Sequence, residues 1–315
     1  MLPRCFRLPC EVPEPMTPIE TQTVTTPDGR ALMIELGGDP TGLPILVFNG
    51  TPSSRLLYRP WLEDAAQHGV RLISYDRPGY GGSTSQPGRT VADCAEDVRA
   101  IASTLGLPRL AVWGASGGGP HALACAALLP DLVVAVSVLG SIAPYGAPGL
   151  DYFSGMGKDN EDDMRLYFSD PTAARHKSHQ DRLDMLSRTP DQLGEGLKTL
   201  LSPVDAAVLV DDFAAWLAAS AADGLATSDE GWWEDSVAHL SPWGFDLGTI
   251  RTPVQVWHGR QDRFVPYQHG AWLAERIPGC EAHLSDSEGH LTLLGNRIPE
   301  VQRWLASRLG SRSTP

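Results

Sequence analysis

The chain has no long apolar run and no cluster of basic residues. Its 315 residues contain no stretch of about 18 apolar residues, so we expect no membrane-spanning helix. The N-terminal stretch MLPRCFRLPCEVPEP also lacks the continuous apolar segment of a secretion signal. The formal net charge is −13, whereas phosphate binding needs clustered Lys and Arg. We therefore expect a soluble, acidic protein without a nucleic-acid or membrane partner.

Cysteine is scarce, and its pattern is not that of a metal site. The five cysteines are odd in number and lack metal-ligand spacing, so we predict reduced thiols and a cytoplasmic protein. His176 and His179 are three residues apart in a helical run, but no Cys or carboxylate set completes a metal site there, and we expect an exposed helix face. The cysteines are Cys5, Cys10, Cys94, Cys125 and Cys280.

What the chain does contain is an alternation of short apolar runs with helical patterns. The apolar runs are rich in β-branched residues, which is typical of strands buried on both faces. Two further β-rich runs flank the turn signal PDG and predict an antiparallel start to the sheet. The alternation predicts an α/β fold with a mostly parallel, doubly wound sheet. The runs are PILVFNG (44–50), VRLISYD (70–76), RLAVWG (109–114), LVVAVSVLG (132–140) and PVQVWHG (253–259).

The alternation stops at residues 144–246, where helical runs replace the strands. We interpret this segment as a helical insertion into a core formed by residues 17–143 and 247–311. Residues 1–16, which contain several prolines, are predicted to be a flexible arm. The acidic run KDNEDD (158–163) is predicted to be a solvated helix start rather than a site for a cationic substrate group.

The segment GASGG (114–118) surrounds one serine with small residues, between a predicted strand and a predicted helix. This is the G-x-S-x-G pattern of a nucleophile elbow, in which a tight turn lifts Ser116 clear of the sheet. The same turn aims the backbone N–H of Gly117 toward the serine. The alternative interpretation is that the glycines only permit close packing of helix and sheet.

A serine nucleophile needs a base, and the base needs a carboxylate that orients it. Asp262 follows the strand PVQVWHG, and His290 lies on the loop after the next strand, EAHLSD. Because the carboxyl ends of parallel strands meet at one edge of the sheet, these two residues and Ser116 are expected to converge there. The elbow, the chain order Ser, Asp, His and the late insertion together resemble the α/β-hydrolase family, over roughly residues 17–311.

The resemblance implies an oxyanion hole. In the family its second N–H follows a His-Gly pair in a loop after an early strand, here FNGTPSS, which assigns Thr51 as the partner of Gly117. Asn49 stands where the family usually has histidine, and asparagine can still donate a hydrogen bond. In the matching stretch YDRPGYGGS, Asp76 and Arg77 are expected to be structural.

The resemblance also makes the insertion a helical cap that roofs the active site. Aromatic residues are concentrated in it, and one or two of them are expected to line the acyl pocket. His121 and His258 lie in or beside buried elements and are expected to be core histidines. The pocket candidates are Trp232 and Trp233 from the cap, with Trp113 and Ala115 beside the nucleophile.

The resemblance implies a serine hydrolase in which Ser116 is the nucleophile, His290 the general base and then acid, and Asp262 the residue that orients the imidazole. A serine at the elbow disfavours the haloalkane dehalogenases and epoxide hydrolases of the family, whose attacking group is a carboxylate. The stretch GTPSS lacks the Gly-Gly-Pro-Gly of the peptidase branch. We therefore predict hydrolysis of a small-molecule carboxylic ester, with thioester, lactone and amide left open.

Three alternatives share this site. They are a C–C bond hydrolase, a cofactor-free haloperoxidase, and a receptor-like protein that binds a ligand with little turnover. The resemblance implies no metal and no organic cofactor. The expected partner is a small-molecule substrate, and the chain is expected to be a monomer or a homo-oligomer.

Overall fold

The structure of the protein is a computed structural model that describes residues 19–310. The predicted arm at residues 1–16 lies outside the described residues, as do Cys5 and Cys10. Three free cysteines lie within them: Cys94 and Cys125 are buried, and Cys280 is half-buried.

One sheet forms the centre of the molecule. Its eight strands, counted over residues 19–310, are β1 (Glu20–Thr25), β2 (Ala31–Gly38), β3 (Leu43–Phe48), β4 (Val70–Tyr75), β5 (Leu110–Ala115), β6 (Val133–Leu139), β7 (Val254–Gly259) and β8 (Glu281–Ser285). Their order across the sheet is β1-β2-β4-β3-β5-β6-β7-β8. The pairs β1–β2 and β2–β4 are antiparallel, and all later neighbours are parallel. The predicted mostly parallel sheet with an antiparallel start is confirmed.

Helices cover both faces of this sheet. Those described are α1 (Arg59–Gln67), α2 (Cys94–Thr104), α3 (Gly119–Leu128), α4 (Lys158–Ser169), α5 (Pro171–Ser187), α6 (Pro190–Gly196), α7 (Pro203–Val208), α8 (Asp211–Gly224), α9 (Glu230–Leu240), α10 (Tyr267–Arg276), α11 (Leu291–Asn296) and α12 (Ile298–Gly310). None of them is both long enough and apolar enough to cross a membrane.

The two faces of the sheet carry separate apolar clusters. Helices α2 and α3 pack in one cluster and helices α1 and α12 in the other. Because successive strand residues point to opposite faces, Val112 belongs to the first cluster and Trp113 to the second. Strands β5, β6 and β7 are buried along their whole length, as their apolar runs predict. The fold therefore brings the carboxyl ends of these three central strands to one buried edge.

Between β6 and β7 the chain forms helices α4 to α9, which we call the cap. In the described chain no strand lies between β6 and β7, in agreement with the helical runs expected there. The exact limits of the cap, residues 144–246, stay a prediction.

Candidate active site

Ser116 lies at the turn between strand β5 and helix α3. Its φ is +53°, in the left-handed region, which costs a non-glycine residue on the order of 1–3 kcal/mol. A Cβ added at Gly114 would lie 2.5 Å from the carbonyl oxygen of Gly118, and one added at Gly118 would lie 2.6 Å from that of Asn49. Close packing of backbone therefore holds the strained turn, which has the geometry of a nucleophile elbow.

Asp262 and His290 form a buried pair on the loops that follow β7 and β8. The distance between Asp262 Oδ2 and His290 Nδ1 is 2.6 Å. The other carboxylate oxygen accepts hydrogen bonds from the backbone N–H groups of Phe264 and Val265, at 2.9 and 2.8 Å. The carboxylate is thus fixed in orientation and holds a proton on Nδ1, which leaves Nε2 to act as a base.

The charges of this pair shift both of its pKa values. Burial raises the pKa of Asp262, but the charge of His290 and hydrogen bonds from histidines outweigh it and lower that pKa to about 2. Burial lowers the pKa of His290, but the Asp262 carboxylate outweighs it and raises that pKa above the usual 6.5. A glycine is needed beside the pair, because a Cβ at Gly140 would lie 2.9 Å from His290 Nδ1.

His290 contacts a residue of the cavity that Ser116 lines. Ser116 and Phe264 both line it, and the Phe264 ring stacks on the His290 imidazole with 4.7 Å between ring centroids. Among the described residues, no hydrogen bond joins the Ser116 hydroxyl to His290. The structure therefore contains the Asp–His contact of a triad, while the Ser–His contact stays a prediction.

Thr51 and Gly117 line the cavity beside Ser116. A Cβ added at Gly50 would lie 3.4 Å from the Ser116 Cβ, so the loop that carries Thr51 lies against the nucleophile. Within the described chain, no hydrogen bond uses the amide N–H of Thr51 or of Gly117. Both groups are thus available to a developing oxyanion, which supports the predicted roles of these residues.

Asn49 shapes the Thr51 loop from inside the protein. Its side-chain amide donates hydrogen bonds to the carbonyl oxygens of Ser54 and Leu56, at 2.9 and 3.3 Å. Its own backbone carbonyl accepts a hydrogen bond from Arg77 at 2.6 Å. Asn49 is buried, so it acts on the loop and not on a bound substrate.

A cavity of about 210 Å³ lies between Ser116 and the cap helices α4, α5 and α9. Its charged lining comprises Asp163, Lys177 and Asp181. Lys177 Nζ is 3.0 Å from Asp163 and 2.6 Å from Asp181. Asp163 is the last residue of the acidic run 158–163. The prediction that this run is solvated is therefore wrong for Asp163. Most of the remaining lining is apolar and includes Met164, Met185, Leu197, Leu200, Trp232 and Phe264.

Of the four predicted pocket residues, one lines the cavity and three do not. Trp232 lines the cavity, whereas Trp233 packs against the tyrosine of helix α4 with 5.0 Å between ring centroids. Trp113 and Ala115 are buried, and Trp113 packs edge-on against Trp61 on the face of the sheet that helices α1 and α12 cover. Of these four, only Trp232 belongs to the described lining, because neighbouring residues of a helix or strand face different directions.

Comparison with known proteins fits this geometry. A model of the alpha/beta hydrolase fold matches residues 44–296. The chain belongs to the alpha/beta hydrolase family. It is 27% identical to a 2-hydroxy-6-oxononadienedioate/2-hydroxy-6-oxononatrienedioate hydrolase of Paraburkholderia phymatum. The alignment of 239 residues covers 71% of this chain and 72% of the relative. The chain is 29% identical over 253 residues to a non-heme chloroperoxidase of Streptomyces lividans, which covers 79% and 85%.

A thermophilic esterase from Thermogutta terrifontis shares the fold. It superposes with a TM-score of 0.66 at 21% identity, over 92% of this chain and 99% of that one. These comparisons confirm the family resemblance expected from the sequence. The names of the relatives cover more than one activity, so the family alone does not give this hydrolase its substrate.

A buried carboxylate in the cap supports the loop that carries His290. Sequence reasoning missed this residue of the hydrolase. Asp205 of helix α7 is fully buried. Its oxygens accept hydrogen bonds from the backbone N–H groups of His290, Leu291 and Thr292, at 3.1, 2.7 and 3.2 Å. The Ser202 hydroxyl donates to the same carboxylate at 2.7 Å. The local sequence SPVD signals only a helix start, so it carries no sign of these distant partners.

A second missed carboxylate, Asp235 of helix α9, lies in a buried cluster beside the Thr51 loop. Arg77 and Arg89 donate to it at 2.6 and 2.5 Å. The hydroxyls of Thr51 and Tyr80 donate to it at 3.0 and 2.9 Å. Burial opposes ionisation of Asp235, but the two guanidinium groups outweigh it and hold the pKa well below its usual value.

Two histidines border this cluster. The ligand atoms of His121, His239 and Asp235 lie within 4.8 Å of one another. His121 Nδ1 and His239 Nε2 each contact the carbonyl oxygen of Gly117, at 3.0 and 2.9 Å, so both nitrogens carry a proton. Because two guanidinium groups already surround Asp235, a cation would be repelled. These residues do not fit a metal ion.

The other polar residues noted in the sequence lie apart from the cavity. His258 is fully buried and its Nε2 is 2.8 Å from the carbonyl oxygen of Val265. Asp76 is buried and accepts hydrogen bonds from the backbone N–H groups of two loops, at 2.7 and 3.0 Å. His176 and His179 are exposed on helix α5. These placements agree with the structural roles expected for them.

Proposed function

We propose that this hydrolase cleaves small, uncharged carboxylic esters through an acyl-enzyme on Ser116. The observation that carries the proposal is the cavity: it is apolar over most of its lining and opens on Ser116, Thr51 and Gly117 together. Such a cavity suits a substrate that buries an acyl chain and presents one polar reacting group.

The reaction follows from the roles of these groups. Ser116 Oγ attacks the ester carbonyl carbon while His290 Nε2 takes the hydroxyl proton, and the carbonyl electrons move onto oxygen between the N–H groups of Thr51 and Gly117. Collapse of this intermediate breaks the bond to the leaving oxygen, which departs as an alcohol with the proton from His290. Water then attacks the acyl-enzyme while His290 takes its proton. Collapse of the second intermediate breaks the bond to Ser116 Oγ, which receives that proton from His290, and the carboxylic acid leaves.

The charges in the cavity favour an uncharged substrate. Lys177 is the only Lys or Arg among the described lining residues, and it is bound by both Asp163 and Asp181. These three side chains together carry one net negative charge. A substrate with a free carboxylate would meet repulsion there and no unengaged cation.

A second candidate is cleavage of a C–C bond in a dicarboxylate. It is favoured by the relative from Paraburkholderia phymatum, whose name gives a dienedioate as its substrate. The net negative lining charge weighs against it in this chain, so the ester reaction is the first choice. Assaying both substrate classes separates the two candidates.

Labelling with a fluorophosphonate tests the nucleophile. We expect one adduct, on Ser116, because phosphonylation needs a base-activated serine and an oxyanion hole. Ser116→Ala should abolish labelling and leave the thermal midpoint near wild type. Ser137→Ala is the matched control, because it removes a buried serine hydroxyl from the neighbouring strand β6 without touching the cavity. Absence of labelling in folded wild-type protein would refute the proposal.

Turnover on paired esters tests the substrate class. We expect p-nitrophenyl esters of uncharged acids to be hydrolysed, and the ester of a dicarboxylic acid of similar length to have a much lower kcat/KM. Equal or better activity on the charged ester, or activity on a dienedioate alone, would contradict the proposed specificity. Labelling without turnover on any ester, thioester or lactone would point to the ligand-binding alternative.

A further inference from the structure

We propose that helix α9 of the cap carries two positioning residues, Asp235 and His239, which hold the two oxyanion-hole residues in the arrangement that stabilises the transition state. The inference rests on the proposed function in one respect: Thr51 and Gly117 are taken as the donors to the oxyanion. It extends that function because it makes the cap a part of the catalytic apparatus as well as a cover over the substrate.

Asp235 acts on the Thr51 side of the hole. The Thr51 hydroxyl donates to Asp235 Oδ2 at 3.0 Å, across 184 residues of sequence. Arg77 also donates to Asp235 Oδ2. It donates as well to the Thr51 hydroxyl at 2.9 Å and to the carbonyl oxygen of Gly50 at 3.0 Å. The peptide that presents the Thr51 N–H joins Gly50 to Thr51. Both ends of that peptide are therefore tied to one buried carboxylate, directly and through Arg77.

His239 acts on the Gly117 side. Its Nε2–H donates to the carbonyl oxygen of Gly117 at 2.9 Å, and His121 Nδ1–H donates to the same oxygen at 3.0 Å. A Cβ added at Gly117 would lie 2.9 Å from His239 Cε1, so the ring also limits how far this residue can move. These contacts fix the Gly117–Gly118 peptide. That peptide directly follows the one that carries the Gly117 N–H, the proposed donor to the oxyanion.

The spacing of the pair explains how one helix reaches both donors. Residues four apart lie on the same face of a helix, so Asp235 and His239 face the elbow together. Trp232 precedes His239 by two turns, and both line the cavity. The face of α9 that lines the cavity is thus continuous with the face that contacts the oxyanion residues.

The protonation of the pair supports this role. Burial lowers the pKa of His239 to about 4, so the ring is neutral near pH 7. A neutral ring carries one N–H, and the contact with Gly117 places it on Nε2. Asp235 is ionised between Arg77 and Arg89, so it accepts from Thr51 and cannot donate. The direction of each hydrogen bond is therefore defined.

Two deletions test the two arms without removing the buried charge of Asp235. Thr51→Val removes the hydroxyl that binds Asp235, and His239→Leu removes the donor to Gly117. We expect each to lower kcat on a neutral p-nitrophenyl ester on the order of 10-fold, with little change in KM, because a displaced donor weakens binding of the transition state more than of the substrate. The rate of inactivation by a fluorophosphonate should fall by the same factor as kcat.

Matched variants separate positioning from general loosening. Tyr80→Phe also deletes one hydroxyl hydrogen bond to Asp235 Oδ2, at 2.9 Å, but touches neither donor. We expect it to lower the unfolding midpoint and to leave kcat at the wild-type value. Thr51→Ser and His239→Gln keep a hydroxyl and an N–H at the same places, so each should recover most of the kcat that the deletion at its position removes.

The outcomes are distinct from those that test the proposed function. Folded Thr51→Val and His239→Leu proteins with wild-type kcat and inactivation rate, or a loss in Tyr80→Phe as large as in Thr51→Val, would overturn the inference. If His239→Leu does not fold, Thr51→Val with its serine counterpart decides. If wild type is labelled on Ser116 but hydrolyses no ester, the ester proposal fails and the inactivation rates still judge the inference. If it is neither labelled nor active, both fail.

Discussion

Replacing Asp205 with asparagine tests how the cap supports the loop that carries His290. Asparagine has the same shape as aspartate but presents an amide group where one carboxylate oxygen was. Asp205 Oδ1 accepts from the N–H groups of Leu291 and Thr292, and Oδ2 accepts from His290 N and from the Ser202 hydroxyl. The amide oxygen can keep the first two hydrogen bonds, so the change concentrates on the backbone N–H of His290.

The magnitude follows from that one group. The amide NH₂ would face the His290 N–H, leaving a buried donor without an acceptor, which costs about 1–3 kcal/mol. The Ser202 hydroxyl can rotate and accept from the new amide, so it adds little. We therefore expect the free energy of unfolding of Asp205→Asn to fall by about 1–3 kcal/mol. Since the N–H group left without an acceptor belongs to the candidate base, kcat should also fall, on the order of 10-fold.

The assay combines chemical denaturation with ester kinetics. Ser202→Ala is the control, because it removes a partner of the same carboxylate oxygen without disturbing His290. It also removes the N-cap hydroxyl of helix α7, so it should cost about 1 kcal/mol of stability and leave kcat unchanged. An Asp205→Asn protein with wild-type stability and wild-type kcat would show that the cap does not support the His290 loop in this way.

Three further predictions concern the candidate triad and the pocket. Asp262→Asn should keep the fold but lower kcat by about 10⁴-fold, as in other serine hydrolases with a mis-set imidazole tautomer, and near-normal kcat would refute the assignment. Burial opposes protonation of His290 but the Asp262 carboxylate prevails, so kcat/KM should rise with pH through one ionisation above 6.5, and a flat profile would count against this base. Trp232→Ala should shift the preferred acyl chain length, whereas Trp233→Ala should alter stability alone; equal shifts in both variants would contradict the placement of the two rings.

The sheet and the elbow could be predicted because their signals are local. An apolar run such as LAVWGA is buried on both faces of β5 wherever it stands in the sheet, and the small residues around Ser116 reflect close backbone contacts inside the turn itself. Asp262 and His290 each follow a strand, and the shared edge of a parallel sheet brings them together. Sequence order and strand pattern were sufficient for these residues.

The pocket was predicted less well, because distance along the chain is a poor guide to direction. Trp113 is near Ser116 in sequence, but it points to the face of β5 that packs against Trp61. Trp232 and Trp233 are adjacent, yet a helix turns about 100° per residue, and only the first faces the cavity. A helical projection of α9 would group Trp232, Ser236 and His239, all of which line the cavity.

Asp205 and Asp235 were missed for a different reason. Each occupies a helix whose local sequence explains an acidic residue without any site, and each finds its partners far away: 85 residues separate Asp205 from His290, and 184 separate Asp235 from Thr51. Their full burial is what distinguishes them from the exposed carboxylates of the same cap, and burial at that level emerges only from the packed tertiary structure.

These two carboxylates restrict which other caps could replace this one. Asp205 fixes the loop of the candidate base and Asp235 fixes the loop of a candidate oxyanion donor, so the cap contacts both halves of the reaction centre. Removing the cap would leave the His290 backbone without its acceptor, and Arg77 and Arg89 without the carboxylate that both of them bind. A buried charge without its partner is strongly destabilising. Substrate specificity can therefore be altered by changing lining residues such as Trp232 or Met185, whereas a transplanted cap must supply both carboxylates to preserve the reaction centre.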